Sequence, residues 1–313
     1  MTFFRNFSGS VNRPLLLAAL ALPSALGCSP RAAASKLVAN ALSSGSSGPV
    51  YAQDDDPELV RAAVPFGLKT MEGLLADQPR HMGLLTSLAS GFTQYGYAFV
   101  QADADEAEFG GKSAPVRAFR ARAKRLFLRA RDYGLRGLDL RHGGLADRLR
   151  GVRDLEPALA ALKKEDVPLV YWTAASWALA IAAAKEDVAL VAELPVPGAL
   201  MKRALAIDEA WDEGAIHEFF ITWEVAQGGP EGLARAKEHF TRALALSGGK
   251  KLGALVSYAE AVCVAKQDRA EFTRLLRQVA AADVESDKAH RLANVLAQRR
   301  AKLLLAHVDD LFV

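Results

Sequence analysis

Three segments of the chain set hydrogen-bonding groups among aromatic rings on stretches that are otherwise too apolar for a surface. They are Ser90-Gly-Phe92-Thr-Gln94-Tyr95-Gly-Tyr97-Ala-Phe99, Val170-Tyr171-Trp172-Thr-Ala-Ala-Ser-Trp177 and Ile216-His217-Glu218-Phe-Phe-Ile-Thr-Trp223. Polar groups beside a flat apolar wall are the chemistry of a small-molecule pocket. Gly91 and Gly96 cost roughly 1 kcal/mol each relative to Ala inside a helix, a cost that close approach of another element or a ligand can offset. Two readings fit the three segments: plain helix-on-helix packing, or a lined cavity or channel.

Reaction chemistry finds little support. The sequence contains no G-x-S-x-G elbow, Walker loop, G-x-G-x-x-G turn or H-E-x-x-H helix. The six histidines (His81, His142, His217, His239, His290 and His307) do not pair at metal-ligand spacing; His217-Glu218 opens like a zinc helix, but Ile221 stands where the second histidine is needed. Carboxylate pairs such as Asp208/Glu209 and Asp309/Asp310 sit on ordinary polar faces. The expectation is a protein that is not an enzyme and has no metal or cofactor.

The elements that must position these residues read as helices almost throughout. Asp54-Asp-Asp56-Pro57-Glu58 is a strong helix start, with an acidic cap, a proline in the first turn and an acid behind it. Helices follow over 81–100, 116–138, 155–162, 167–184, 198–207, 213–226, 230–246, 252–265, 269–281 and 286–307. Connections are marked by Gly110-Gly111, Gly143-Gly144, Pro195-Val-Pro197, Gly228-Gly229-Pro230 and Gly248-Gly249. No strand-length segment alternates β-branched and aromatic residues, so the fold class is all-α, built of helical hairpins.

A degenerate repeat runs through them. Tetratricopeptide repeats, about 34 residues long, carry A-x3-F-x2-A on the second helix of each pair. Ala123-x3-Phe127-x2-Ala130 and Ala236-x3-Phe240-x2-Ala243 match it, and Met201-x2-Ala204 and Phe272-x3-Leu276-x2-Val279 are looser versions. The small residue lets paired helices approach while the aromatic fills the gap to the next pair. A non-repetitive helical bundle stays open as the alternative.

Composition narrows the rest. With 51% hydrophobic residues and a net charge of +3 over 313 residues, the chain is a nearly neutral globular protein. The basic stretch 117–131 reads as a solvated helix face, so no nucleic-acid partner is expected. After the N-terminal region no apolar run is long enough for a transmembrane helix, which needs about 20 residues. The N-terminus differs: Arg5 and Arg13 precede the apolar run 14–22, and Ala25-Leu-Gly-Cys28 follows. This is a secretory signal over residues 1–27, and its end resembles a bacterial lipobox with Ala25 where Leu is ideal. Cys28 would then carry acyl chains, a stable anchor where one chain alone is marginal. The alternative is an ordinary signal followed by an incidental cysteine. Residues 28–53, with Ser43-Ser-Gly-Ser-Ser-Gly48-Pro49, read as a flexible tether, and 54–313 as the helical domain. With Cys28 acylated, Cys263 is left without a disulfide partner and reads as a buried small hydrophobe.

Lipobox, Ser90-Gly-Phe-Thr-Gln-Tyr-Gly-Tyr-Ala-Phe-Val100, Tyr171-Trp172 and Arg203-Ala-Leu-Ala-Ile-Asp-Glu-Ala-Trp-Asp-Glu-Gly-Ala-Ile-His217 together resemble the TatT family. Its members are the T components associated with tripartite ATP-independent periplasmic (TRAP) transporters. Gly96 departs from the Ala common in that family. The resemblance implies a homotrimeric lipoprotein of tetratricopeptide-like hairpins with a cleft or pore in each subunit. It implies binding to a periplasmic solute-binding protein and transfer of a small hydrophobic or organic-acid ligand toward a permease. Carried onto this chain, Phe92, Gln94, Tyr95, Tyr171, Trp172 and His217 would line the pore. The rival reading is a tetratricopeptide-like scaffold that assembles envelope proteins and binds no ligand. Ser29 is not the Asp that commonly retains lipoproteins in the inner membrane, so the periplasmic side of the outer membrane is the expected site.

Overall fold

The structure, a computed structural model, describes residues 48–312 and, before them, 35, 36 and 38–40. Cys28, the signal region and most of the 28–53 tether lie outside the described residues. Within them every regular element is a helix and there is no strand, so the chain is all-α.

Helix α1 (Pro57–Asp77) starts where Asp56 accepts hydrogen bonds from the N–H groups of Glu58 and Leu59, with Pro57 in its first turn. Helix α2 (Met82–Tyr95) starts at His81, whose Nδ1 accepts from the Leu84 N–H at 3.1 Å. It runs without a break through a π-helical turn, Gly96–Gln101, into α3 (Ala102–Phe109). The long α4 (Ser113–Arg141) is the spine of the N-terminal half and packs on α2 and on α5 (Val167–Ala182). Small residues set these distances. A Cβ on Gly96 would lie 2.7 Å from Phe127 Cε1, and one on Gly134 would lie 2.1 Å from Thr173 Oγ1.

The C-terminal half follows the same logic. Helix α6 (Pro195–Ile207) leads through a turn at 211–214 into the hairpin of α7 (Ala215–Gln227) and α8 (Gly229–Ser247). Pro195-Val-Pro197 is therefore the first turn of α6 and not a connection; proline at that position lacks only an N–H that no helix would use. Helix α9 (Gly253–Tyr258) passes into a second π-helical turn, Ala259–Cys263. Then come α10 (Arg269–Ala281), two short 3-10 turns and α11 (Arg291–Ala306).

The repeat positions all turn inward. Ala123, Phe127, Ala130, Ala236, Ala243, Met201, Ala204, Phe272, Leu276 and Val279 are buried, and the Phe240 ring stacks on Tyr258 at 4.2 Å between centroids. The buried residues form two apolar clusters, one N-terminal and one C-terminal. The last helix then returns to the first elements. Arg299 reaches Glu58 at 2.6 Å, Arg291 reaches Asp55 at 2.8 Å, and Arg300 reaches Asp105 at 3.0 Å. These ion pairs fasten the end of the array to its beginning.

Basic residues of α4 are held by acids of neighbouring elements: Arg120 by Glu108, Lys124 by Asp187, Arg129 by Glu72 and Arg131 by Glu193. No helix among the described residues is long and apolar enough to cross a membrane. Cys263 is buried and free, and burial pushes its thiol pKa up to about 12.

Candidate functional site

Tyr97 marks the candidate site. It stands on the first π-helical turn, and 57% of its surface is accessible to solvent. Even so, desolvation by the surrounding protein dominates its phenol and raises the pKa well above the ordinary tyrosine range, with Glu260 adding to the rise. A side chain that is exposed to solvent and yet strongly desolvated by the surrounding protein fits the wall of a chamber. Tyr171 on α5 and Glu218 on α7 share this setting. Desolvation is the largest influence on both and raises both pKa values. Glu218 acts on both phenols, and Tyr97 acts on Tyr171, so the three groups lie near one another.

One side of this space is aromatic. The Tyr171 ring lies 5.0 Å from Trp172, nearly perpendicular, and 4.5 Å from Trp211 of the turn before α7. The Trp172 and Trp211 rings meet edge to face at 6.5 Å. Charged groups adjoin it as well. Arg300 on α11 holds Glu260 of the second π-helical turn through Nη2–Oε1 at 2.5 Å and Nε–Oε2 at 3.2 Å, and Asp105 of α3 at 3.0 Å. Lys251 holds Asp212 at 2.9 Å. The two π-helical turns thus each deliver one chamber residue, Tyr97 and Glu260. π-helical turns place side chains out of the α-helical register and recur at functional sites.

Three polar groups facing the chamber lack protein partners. Among the described residues, no hydrogen bond or ion pair engages the Glu218 carboxyl, the Tyr97 hydroxyl or the Tyr171 hydroxyl. The Glu218 carboxyl lies over Gly253, where a Cβ would come within 2.4 Å of its Oε1. Deep polar groups are normally satisfied by protein, water or ligand.

The six residues expected to line a pore fall into three groups. Tyr171 and Trp172 stand side by side in the aromatic wall. Gln94 is exposed, and it precedes Tyr97 by three residues, the spacing of neighbours on one helix face. Phe92 and Tyr95 are buried under arginines of α4: Arg129 lies over the Phe92 ring at 5.2 Å and Arg122 over the Tyr95 ring at 5.9 Å. Phe92 also stacks on Tyr133, whose hydroxyl donates to Glu72 at 2.6 Å. His217 is buried between α7 and α8. Its Nδ1 faces His239 Nδ1 at 2.8 Å and its Nε2 faces Glu209 Oε1 at 3.1 Å. That pair is separate from the aromatic wall, although Glu218, the next residue, reaches the chamber.

Tyr97 and Glu218 lie within the segments that drew notice in the sequence. So does Trp211, in the Arg203–His217 segment, but Glu260, Arg300 and Asp105 do not; they meet because α11 folds back over the first half of the chain. No group of three or more His, Cys, Asp or Glu among the described residues could hold a metal ion.

Fold and chamber together define an all-α helical-hairpin protein organised around an internal space. The chain belongs to the TRAP transporter T-component family, TAtT, whose model matches residues 53–312. Its role is therefore accessory to a TRAP transporter, and the family is one of transport accessories and not of enzymes. A protein of Treponema pallidum (strain Nichols), described as uncharacterized, is 29% identical over 274 residues, which cover 84% of this chain and 83% of the relative.

Proposed function

We propose that this chain is a periplasmic, lipid-anchored accessory that docks a TRAP-type solute-binding protein and passes a small, largely apolar ligand through its chamber. The observation that carries the reading is Tyr97, exposed to solvent and yet strongly desolvated by the surrounding protein. A scaffold without a ligand has no use for a solvated aromatic chamber at its centre, since filling that space with apolar side chains would stabilise it more. The lipobox-like Ala25-Leu-Gly-Cys28 supports anchoring through Cys28, and Ser29 supports the periplasmic face of the outer membrane. Assembly as a homotrimer belongs to the same proposal.

The test is co-purification of the chain with the cognate periplasmic solute-binding protein of a TRAP system, at micromolar concentrations. A stable complex supports the reading. Repeated failure with the cognate binding protein overturns it, and sedimentation of the isolated chain as a monomer removes the trimer. The anchor is tested separately by whether Cys28→Ser releases the protein from the membrane fraction.

A further inference from the structure

Six charged groups act on the chamber's two phenols and on Glu218: Asp105, Asp212, Glu218, Glu260, Lys251 and Arg300. Four are carboxylates and two are cations. Both cations are engaged, Arg300 by Glu260 and Asp105, and Lys251 by Asp212. Among these six the surplus is negative, and neither cation is free of a carboxylate. Glu218 has no partner of either kind among the described residues. Its carboxyl overlies Gly253, two residues after Lys251, and Lys251 holds Asp212, the residue that follows Trp211 of the wall of Tyr171, Trp172 and Trp211.

We infer that the chamber takes an organic cation, an amine or quaternary ammonium on an apolar body, with Glu218 as its counter-charge and the Tyr171/Trp172/Trp211 wall receiving its apolar and cationic surface. An ammonium beside aromatic faces is drawn to the negative face of each ring. A positive charge near Glu218 also offsets the burial of that carboxylate, which Lys251, already bound to Asp212, does only in part. A carboxylate ligand would instead meet a surplus of negative charge, with Arg300 and Lys251 already held by carboxylates, so the organic-acid branch of the expected ligands is disfavoured. The inference rests on the ligand-passing reading, and its test separates the two.

The chain carrying Cys28→Ser and Tyr97→Cys is treated with two thiol reagents of opposite charge. They are trimethylammonioethyl methanethiosulfonate and sulfonatoethyl methanethiosulfonate, each rate being divided by the rate on free cysteine. In each reaction the thiolate attacks the reagent sulfur, a mixed disulfide forms and methanesulfinate leaves. Cys263, buried with a raised thiol pKa, serves as the blank in the Cys28→Ser parent. The cationic reagent is expected to react roughly tenfold faster after normalisation, the scale of field focusing in a charged cleft, and adding Glu218→Gln should reduce that preference. Equal normalised rates, or a faster anion, overturn the cation while leaving the chamber standing. Absence of reaction with both reagents overturns the chamber itself. On the unsubstituted chain, calorimetric titration compares phenethylammonium, phenethyl alcohol and phenylacetate, which share one apolar body. Tightest binding of the ammonium supports the inference, and equal or tighter binding of the alcohol or the carboxylate overturns it.

Discussion

Arg300 and Glu260 meet as fork and carboxylate, with Nη2–Oε1 at 2.5 Å and Nε–Oε2 at 3.2 Å, and so tie the last long helix to the second π-helical turn. The third guanidinium nitrogen, Nη1, reaches Asp105 Oδ2 at 3.0 Å as an ion pair without hydrogen-bond alignment. One side chain thereby links α11, the turn after α9, and α3. Desolvation opposes the charge on Arg300, but Glu260 and Asp105 outweigh it and its pKa is raised. Paired bidentate contacts of this kind are the stronger class of ion pair.

Arg300→Met should therefore destabilise the fold by about 1–3 kcal/mol, below the full cost of breaking a buried pair because these side chains keep about a quarter of their exposure. Chemical denaturation at neutral pH measures it. Arg300→Lys keeps the charge and loses the fork, so it should fall between wild type and Met. Equal stability of all three would show that the closure at Asp105 and Glu260 does not hold the two halves together.

The His217–His239 pair makes stability sensitive to mild acid. Burial lowers both pKa values from the ordinary histidine value of 6.5, and the neighbouring His217 lowers His239 further. The Nδ1–Nδ1 contact at 2.8 Å needs one nitrogen as acceptor, so it cannot survive with both rings charged. A base whose folded pKa is depressed is protonated first in the unfolded state, so stability is present above 6.5 and falls as pH drops below it. Thermal midpoints should decline between pH 7 and pH 5, and His239→Asn should flatten that decline. Glu209 adds a separate slope at lower pH. Arg242 foremost holds its carboxyl at about 2, so its contribution is lost only as pH falls from the ordinary 4.5 towards that value.

Glu218 gives the opposite slope. Burial raises its pKa above the ordinary 4.5, with Lys251 opposing and Asp212 adding to the rise. A carboxyl whose folded pKa is raised costs stability as pH climbs above the unfolded value, because the folded state releases its proton last. Glu218→Gln should therefore raise the thermal midpoint at pH 7 and leave it almost unchanged at pH 4. A loss of stability at pH 7 would mean that the carboxylate is satisfied by a group the fold supplies.

Much of this architecture is legible in the sequence, because helix signals are local. Asp56-Pro57 marks the start of α1, and 269–281 coincides with α10. What the sequence hides is non-local or register-dependent. Nothing in Gly96–Gln101 or Ala259–Cys263 distinguishes a π-helical turn from an α-helical one, since the same residue types fit both. The helix expected to end at residue 100 instead runs on to Phe109. The helix expected from Glu213 begins at Ala215, because Asp212, Glu213 and Gly214 take positive φ angles that end the preceding turn. For the chamber, aromatic segments are visible as composition. Arg300 and Glu260 look like ordinary polar-face residues until α11 closes the array. The partner of His217, likewise, is a histidine on the next helix, beyond any local motif.

The closest helix approach supplies the last prediction. Gly134 on α4 faces Thr173 on α5, where an added Cβ would lie 2.1 Å from Oγ1, 3.0 Å from Cβ and 3.3 Å from Cα. Thr173 cannot swing away, because its hydroxyl donates to the Leu169 carbonyl at 2.6 Å and the side chain is fully buried. Gly134→Ala gains helix propensity of about 1 kcal/mol, but overpacking at a backbone-to-backbone contact costs about 1–3 kcal/mol or more. The steric cost wins, since relief requires α4 and α5 to separate along the seam that carries Tyr171 and Trp172. Net destabilisation by urea denaturation is expected, with partial rescue by Thr173→Ala, which removes the Oγ1 contact and leaves the Cβ contact in place. A stabilised Gly134→Ala would mean that the α4–α5 seam yields freely, and the aromatic wall built on α5 would then lack the fixed geometry described for it.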